Sequence, residues 1–232
     1  MPEHAPKFDA IADHAVLVGF ADTISEEAHA QVVALDQALA DNPPKGFVEA
    51  VPALVNLLVS FDVMATDHAA VIAHLKSLLD ALEVNSVSGR AREVLVCYDA
   101  ELGPDLDAIA SATGLSVDAV INAHLSGDYR VLMYGFAPGY AYLSGVADEI
   151  QVPRKTKPVR DVPAGSVIIA GPQCLVTTLT MPTGWSIIGQ SPTRILTGDP
   201  DAPFLFDVGD QVTFRRIDRA AFERMKDETV HA

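Results

Sequence analysis

Residues with chemical potential concentrate in three stretches. The first is YGFAPGYAYLSG, residues 134–145, which carries three glycines, one proline, four aromatics and no charge. Glycine tolerates left-handed backbone and close approach of a ligand, which brings Gly139 forward. Pro138 fixes one φ and removes one donor. Phe136, Tyr140 and Tyr142 supply apolar surface with two hydroxyl tips. The stretch reads either as the wall of a pocket or as a packed corner between strands. The second stretch, PRKTKPVRDVPAGS, spans 153–166. Arg154, Lys155, Lys157 and Arg160 fall within seven residues, in a chain with only 16 lysines and arginines. Pro153, Pro158 and Pro163 hold the segment extended. A stiff loop displaying guanidinium groups suits a phosphate or carboxylate, because arginine grips such anions through a planar fork. The alternatives are a solvated edge or a surface that docks an acidic partner. The third stretch, GPQCLVTTLTMPTGWSIIGQSP (171–192), brackets the single tryptophan, Trp185, with Gly171, Gly184 and Gly189. Gln173 and Gln190 offer amides, and Trp185 reads as core more readily than as a ligand platform.

His124 ends a helical segment in AHLSGDY. Its imidazole suits acid–base work near neutral pH, although a lone histidine near a helix end is more often a cap or a core group. No HxH, HExxH or CxxC spacing occurs, so no metal site is expected. GxxxxGK[ST] and GxGxxG are both missing, so no nucleotide fold announces itself. Cys97 reads as a small core residue, and no histidine neighbours Cys174 in sequence to activate it as a nucleophile.

The elements that must position these groups divide into two grammars. AVLVGFA (15–21) reads as a strand, followed by a helix that Ser25 can cap, with Glu26 and Glu27 in its first turn. Ala28, Val32, Leu35 and Leu39 share one face of that helix. Asn42-Pro43-Pro44 stops it. GFVEAVPA (46–53) and NLLVSFD (56–62) read as strands. A second helix starts near Thr66, with Val71, Ile72, Leu75, Leu78, Leu79 and Leu82 as its stripe. Segment 84–92 reads as a linker, and EVLVCYD (93–99) as a fourth strand. The order β-α-β-β-α-β predicts a ferredoxin-like α/β sandwich over residues 1–98. Residues 104–125 read as two short helices, with Gly114 ending the first and Ser116 capping the second. From Tyr129 onward RVLMYGF, SVIIAG, WSIIG, FLFDVGD and QVTFRRI alternate with Gly and Pro, the pattern of a β-barrel or sandwich. The second domain is therefore expected over 99–232, a β-barrel with two short leading helices and a short helix from about Arg219. The fold class is α+β.

Composition sets limits. The chain has 232 residues, 49% of them apolar, enough for one or two domains with a real core. A net charge of −15 argues against nucleic acid and anionic membrane as partners. No run of about 18 apolar residues is present to span a bilayer. MPEHAPKFDA lacks the basic and apolar regions of a signal peptide. With two cysteines and no disulfide framework, the expected compartment is the cytoplasm.

HLSGDYRVLMYGFAPGYAYLSGV, VPRKTKPVRDVPAGSVIIAG, Gln173, GW and IIG together resemble the KipI / PxpB family. Its members are also called allophanate hydrolase subunit 1, or carboxyltransferase subdomain C and D proteins. ELGPDLDAIASATGLS is similar to that family's acidic GPDL helix and GLS helix start, and the resemblance runs from about Ala15 to Arg216. It implies a ferredoxin-like α/β domain followed by a cyclophilin-like β-barrel. It also implies work inside a complex: a 5-oxoprolinase that opens 5-oxoproline to glutamate at the expense of ATP. The partners would be a second cyclophilin-like subunit (allophanate hydrolase subunit 2 / PxpC type) and a lactam-utilisation-type third subunit. ATP would be held by this chain or by a partner, and the substrate would be a small carboxylate or amide. Under this reading the chain is a hydrolase only as part of the complex. The alternatives are an allophanate hydrolase or urea amidolyase-type subunit, and a non-enzymatic regulator that inhibits a histidine kinase. Carried over residue by residue, the resemblance implies catalytic roles for His124, Arg154, Arg160 and Gln173. It implies substrate-binding roles for Phe136, Pro138, Gly139, Tyr142, Ser166, Trp185 and Gln190. Two departures stand out. The family usually carries GIYP after the glutamine, where this chain reads LVTT (175–178), and an arginine where this chain has Gln190.

Overall fold

The computed structural model describes residues 5–82 and 89–230, with side chains to 226. The chain divides into two compact units, Met1–Val87 and Ser88–Ala232. Most of the expected linker, 84–88, lies outside the described residues.

The first unit runs β1 (Lys7–Ile11), β2 (Ala15–Gly19), α1 (Glu26–Asp41), β3 (Phe47–Pro52), β4 (Asn56–Phe61) and α2 (His68–Asp80). Local chemistry fixes the helix ends. The Ser25 side chain accepts from the Ala28 N–H, and Asp67 accepts from Ala70 in the same way. Each such cap is worth about 1 kcal/mol. Val32, Leu35 and Leu39 are fully buried with Val71 and Leu75 of α2 against Val16, Val18, Leu57 and Val59 of the sheet. The sheet order is β1-β2-β4-β3, antiparallel throughout. The β-α-β-β-α succession is as the sequence predicts. The expected fourth strand is not. Its edge position beside β2 is held by β1, a strand with no signal in the hydropathy pattern. KFDAI lies almost wholly exposed, so it shows no alternating buried face to betray it.

The residues expected as that fourth strand instead open the second unit as β5 (Ala91–Val96), paired in parallel with β13 (Gln211–Arg216) over six residue pairs. The boundary expected at 98/99 therefore lies at 87/88. Pairing partner, which is non-local, decided this; a short apolar run such as VLVCY serves either sheet equally well. After β5 come α3 (Leu106–Thr113) and α4 (Val117–Leu125), then β6 (Tyr129–Tyr134) and β7 (Ala141–Ser144). β8 (Val159–Val162), β9 (Ser166–Ala170), β10 (Gln173–Val176), β11 (Met181–Thr183) and β12 (Ser186–Gln190) follow, and α5 (Arg219–Val230) comes after β13. Gly114 ends α3 at φ 73° and Ser116 caps α4. FLFDVGD is no strand: Phe204 makes only an isolated bridge to Leu196 before the chain turns.

Seven strands form one sheet in the order β12-β9-β10-β7-β6-β13-β5. Its two edges meet through Cys97 and Gln190, which exchange backbone hydrogen bonds of 2.9 and 3.0 Å. The result is a nearly closed, barrel-like sheet. Successive residues of a strand point to opposite faces. Val167, Ile169, Cys174, Val176 and Ile188 accordingly join the cluster that includes α3 and α4. Ile168, Ala170, Leu175 and Ile187 join a second cluster with Tyr140, Trp185, Val162 of β8 and Met181 of β11. Both faces are covered, which explains why β9 and β12 read as unbroken apolar runs rather than alternating ones.

Candidate functional site

On the helix-backed face, α4 delivers His124 into the core, where it is 0% exposed. Its Nδ1 lies 2.8 Å from the Tyr98 hydroxyl and its Nε2 3.6 Å from Cys174 Sγ. The rings of Phe214 and Tyr129 pack on it at 4.5 and 5.2 Å. Burial alone pushes the imidazole down to about 3, and burial is the main cause that raises Cys174 and Tyr98 far above their ordinary range. Desolvation penalises every charged form here. The cysteine without a histidine neighbour in sequence thus has one in space. The pair is nonetheless a neutral, sealed contact, and His124 does not lie with the arginines it was grouped with.

On the hairpin-covered face the setting is open. Phe136 sits at φ 71° and is 77% exposed. A non-glycine residue in the left-handed region costs roughly 1–2 kcal/mol, and such strain collects at ligand clamps and switches. Its ring lies 5.6 Å from Tyr140, whose hydroxyl donates to Met181 Sδ. Tyr142 meets Trp185 edge-on at 6.0 Å. The Arg154 guanidinium lies over Trp185 at 5.5 Å and is solvent-exposed. Trp185 is 6% exposed, so it serves as core and as platform at once. A guanidinium held against an aromatic ring keeps its N–H donors for an anion. Arg154, Trp185, Tyr142 and Phe136 thus share one face.

The basic strip is sorted by its partners. Lys155 Nζ lies 2.5 Å from Asp105 Oδ2, and the same oxygen accepts the Ile187 N–H at 2.6 Å. Lys155 is therefore a strut, and Asp105 ties the start of α3 to β12 and to the strip. Asp105 is not among the residues expected from the sequence; the GPDL string that contains it was the available signal. Arg160 is exposed on β8, next to Asp161 at φ 53°, and makes no ion pair among the described residues.

The remaining expected residues are structural supports or line a separate cleft. Gly139 lies at φ 71°, where a side chain would be strained, and a Cβ there would press on Leu196 Cδ2 at 2.7 Å. The Pro138 carbonyl accepts from Thr178 Oγ1 at 2.7 Å, which fastens the 134–145 loop. Ser166 is buried and donates to the Pro163 carbonyl, so it holds the β9 turn. Gln173 is half-buried at the β9–β10 hairpin. Gln190 donates through Nε2 to the Ala164 carbonyl at 3.0 Å and lines a cleft of about 220 Å³. A larger depression of about 740 Å³ lies in the first unit, where Lys7 pairs with Asp22 at 3.4 Å, and no expected site residue lines it.

A strained aromatic loop and an exposed arginine stacked on Trp185 lie on one face of a barrel-like sheet. The comparisons with known proteins give the kinship of the chain. The model of the "Carboxyltransferase domain, subdomain C and D" family matches residues 6–206. The chain is 33% identical to the 5-oxoprolinase B subunit of Bacillus subtilis over 96% of its own length and 98% of that protein's. A solved structure, TTHA0988, superposes with a TM-score of 0.78 at 34% identity over 89% of this chain, which spans 40% of that longer protein. Urea amidolyase of K. lactis shares the fold at a TM-score of 0.80 and 15% identity, over 98% of this chain and 16% of that one. The chain belongs to the carboxyltransferase subdomain C and D family, that of the 5-oxoprolinase B subunits.

Proposed function

We propose that this chain is a subunit of an ATP-dependent complex that opens a cyclic amide, most simply 5-oxoproline to glutamate. One observation carries the reading: collinear identity of 33% with a 5-oxoprolinase B subunit along nearly the full length of both chains. A urea amidolyase-type role is supported by fold likeness alone and ranks second. The chain contributes a cyclophilin-like barrel, and its partners are a second such subunit and a lactam-utilisation-type third. A division of labour between subunits is supported by the burial of the Cys174–His124 pair and by the exposure of Phe136 and Arg154 on the other face. On that face Arg154 and Arg160 hold an anionic group of an intermediate passed between subunits.

The test is to co-purify the chain with its native partners and measure ATP hydrolysis that depends on 5-oxoproline. Arg154→Ala and Arg160→Ala are each expected to lower that rate about 10- to 100-fold, the equivalent of one charge-assisted hydrogen bond, with an unchanged melting temperature. Full activity in both variants removes the role given to them. A complex that assembles but ignores 5-oxoproline points to another amide. Capture of a histidine kinase in place of a barrel subunit moves the chain to the regulatory class.

A further inference from the structure

The cleft beside Gln190 shows a local inversion of charge. The whole chain carries 31 acidic and 16 basic residues. Yet no Asp or Glu lines this cleft among the described residues, while Arg194 and Lys226 both do. Neither forms an ion pair among the described residues. Arg194 Nε donates to the Leu196 carbonyl at 2.9 Å, which fixes the root of the guanidinium at the cleft rim, with its Nη2 beside Gly198. The hydroxyls divide in a telling way. Thr177 and Thr178 spend their protons on the carbonyls of Pro163 and Pro138. Ser191 Oγ and Thr193 Oγ1 instead accept backbone N–H groups, from Thr193 at 3.0 Å and Leu95 at 3.1 Å. Each therefore has its O–H left to donate. Two hydroxyl donors, those of Ser191 and Thr193, are thus left to the cleft beside its two cations, the polarity that suits an anion.

The rest of the lining sets the shape of the ligand. Ile195, Leu196 and Phe222 give an apolar wall. Gly165, at φ 82°, lets two backbones of the lining pack together: Ser191 N–H donates to its carbonyl at 2.7 Å, and a Cβ there would stand 2.5 Å from the Ser191 carbonyl oxygen. A cleft of about 220 Å³ suits a small ligand rather than a polymer.

We propose that this cleft binds a small monocarboxylate with a compact apolar body. Its carboxylate is held by Arg194 and Lys226 with help from the Ser191 and Thr193 hydroxyls, and its ring lies against Leu196 and Phe222. The inference deepens the reading above, because the 5-oxoproline anion is such a carboxylate, and it rests on that reading for the choice of probe. It assigns the ligand to a surface that does not include Arg154.

The experiment titrates the isolated full chain with 5-oxoprolinate, following amide shifts by NMR and affinity by calorimetry. Binding is expected, with shifts centred on residues 190–196 and 222–226. Arg194→Gln and Lys226→Gln are each expected to weaken it at least tenfold with no change in melting temperature. Arg215→Gln, which removes one surface charge elsewhere, is expected to bind as the wild type does. 2-Pyrrolidone, the same ring without the carboxylate, is expected not to bind. The proposal is overturned by absence of binding, by wild-type affinity in both cleft variants, or by equal affinity for inorganic phosphate, which would mark a generic anion effect. The two readings fail separately. A fully active complex carrying Arg194→Gln sinks the cleft and spares the 5-oxoprolinase assignment. A wild-type complex inert toward 5-oxoproline, with cleft binding still lost in Arg194→Gln, does the reverse.

Discussion

The two faces of the seven-stranded sheet hold similar side chains in opposite settings. The helix-backed face has a histidine, a cysteine and two tyrosines within contact of one another, the composition of a catalytic cluster. All of them are buried, and the imidazole is neutral across the physiological range. The hairpin-covered face instead exposes an arginine on a tryptophan and a phenylalanine in a strained conformation. Access to water and ligand, rather than residue type, separates a reactive group from a packing group.

Four expectations can break or sharpen this contrast. The largest concerns the sealed face. His124→Ala removes a ring packed on Phe214 and Tyr129 and strips the Tyr98 hydroxyl of its partner. It is expected to cost about 3 kcal/mol in denaturant unfolding. A loss of activity without loss of stability would instead make His124 a working residue. Tyr98→Phe leaves His124 Nδ1 buried and unpaired, and about 1–2 kcal/mol should be lost by the same measurement.

The third expectation is a pH dependence. Unfolded, the imidazole titrates near 6.5, and folded at about 3. Between those values the unfolded chain binds a proton that the folded chain refuses. The contribution of His124 is therefore complete above pH 6.5 and falls as pH drops toward 3, by about 1.4 kcal/mol per unit. A His124→Phe variant should show a flatter stability profile between about pH 6 and 5, above the range where most carboxylates titrate. The smallest effect belongs to the open face. Phe136→Gly relieves left-handed strain but adds unfolded-state entropy, and a net gain of roughly 0.5 kcal/mol is expected. Complex activity should fall in the same variant. A clear loss of stability would show that the ring packs in the free chain and is not held out for a ligand or partner.

Local features were legible from the residues. Ser25, Gly114 and Ser116 sit at the helix ends expected of them, because a cap needs only its own turn. The 134–145 loop does hold strained backbone, as its glycines and proline suggest. Two differences between expectation and structure share one cause. EVLVCYD reads as part of the first unit but belongs to the second, because pairing in parallel with β13 joins segments about 120 residues apart. The basic strip reads as four similar charges, because nothing in sequence joins Lys155 to Asp105 across 50 residues. The cleft that Gln190 lines is assembled from distant segments. Arg194 and Lys226 reach it from separate elements, and neither stands out in its own neighbourhood.

The sequence by itself determined the alternation of helices and strands, the apolar stripes, the caps and the family, since these depend on residue order and short-range geometry. The tertiary structure alone decided which sheet received Ala91–Val96 and which cation was neutralised. It also decided that His124 and Cys174 meet in a place no solvent reaches. Those outcomes depend on long-range pairing and on burial, and burial is a property of the packed chain rather than of any segment of it.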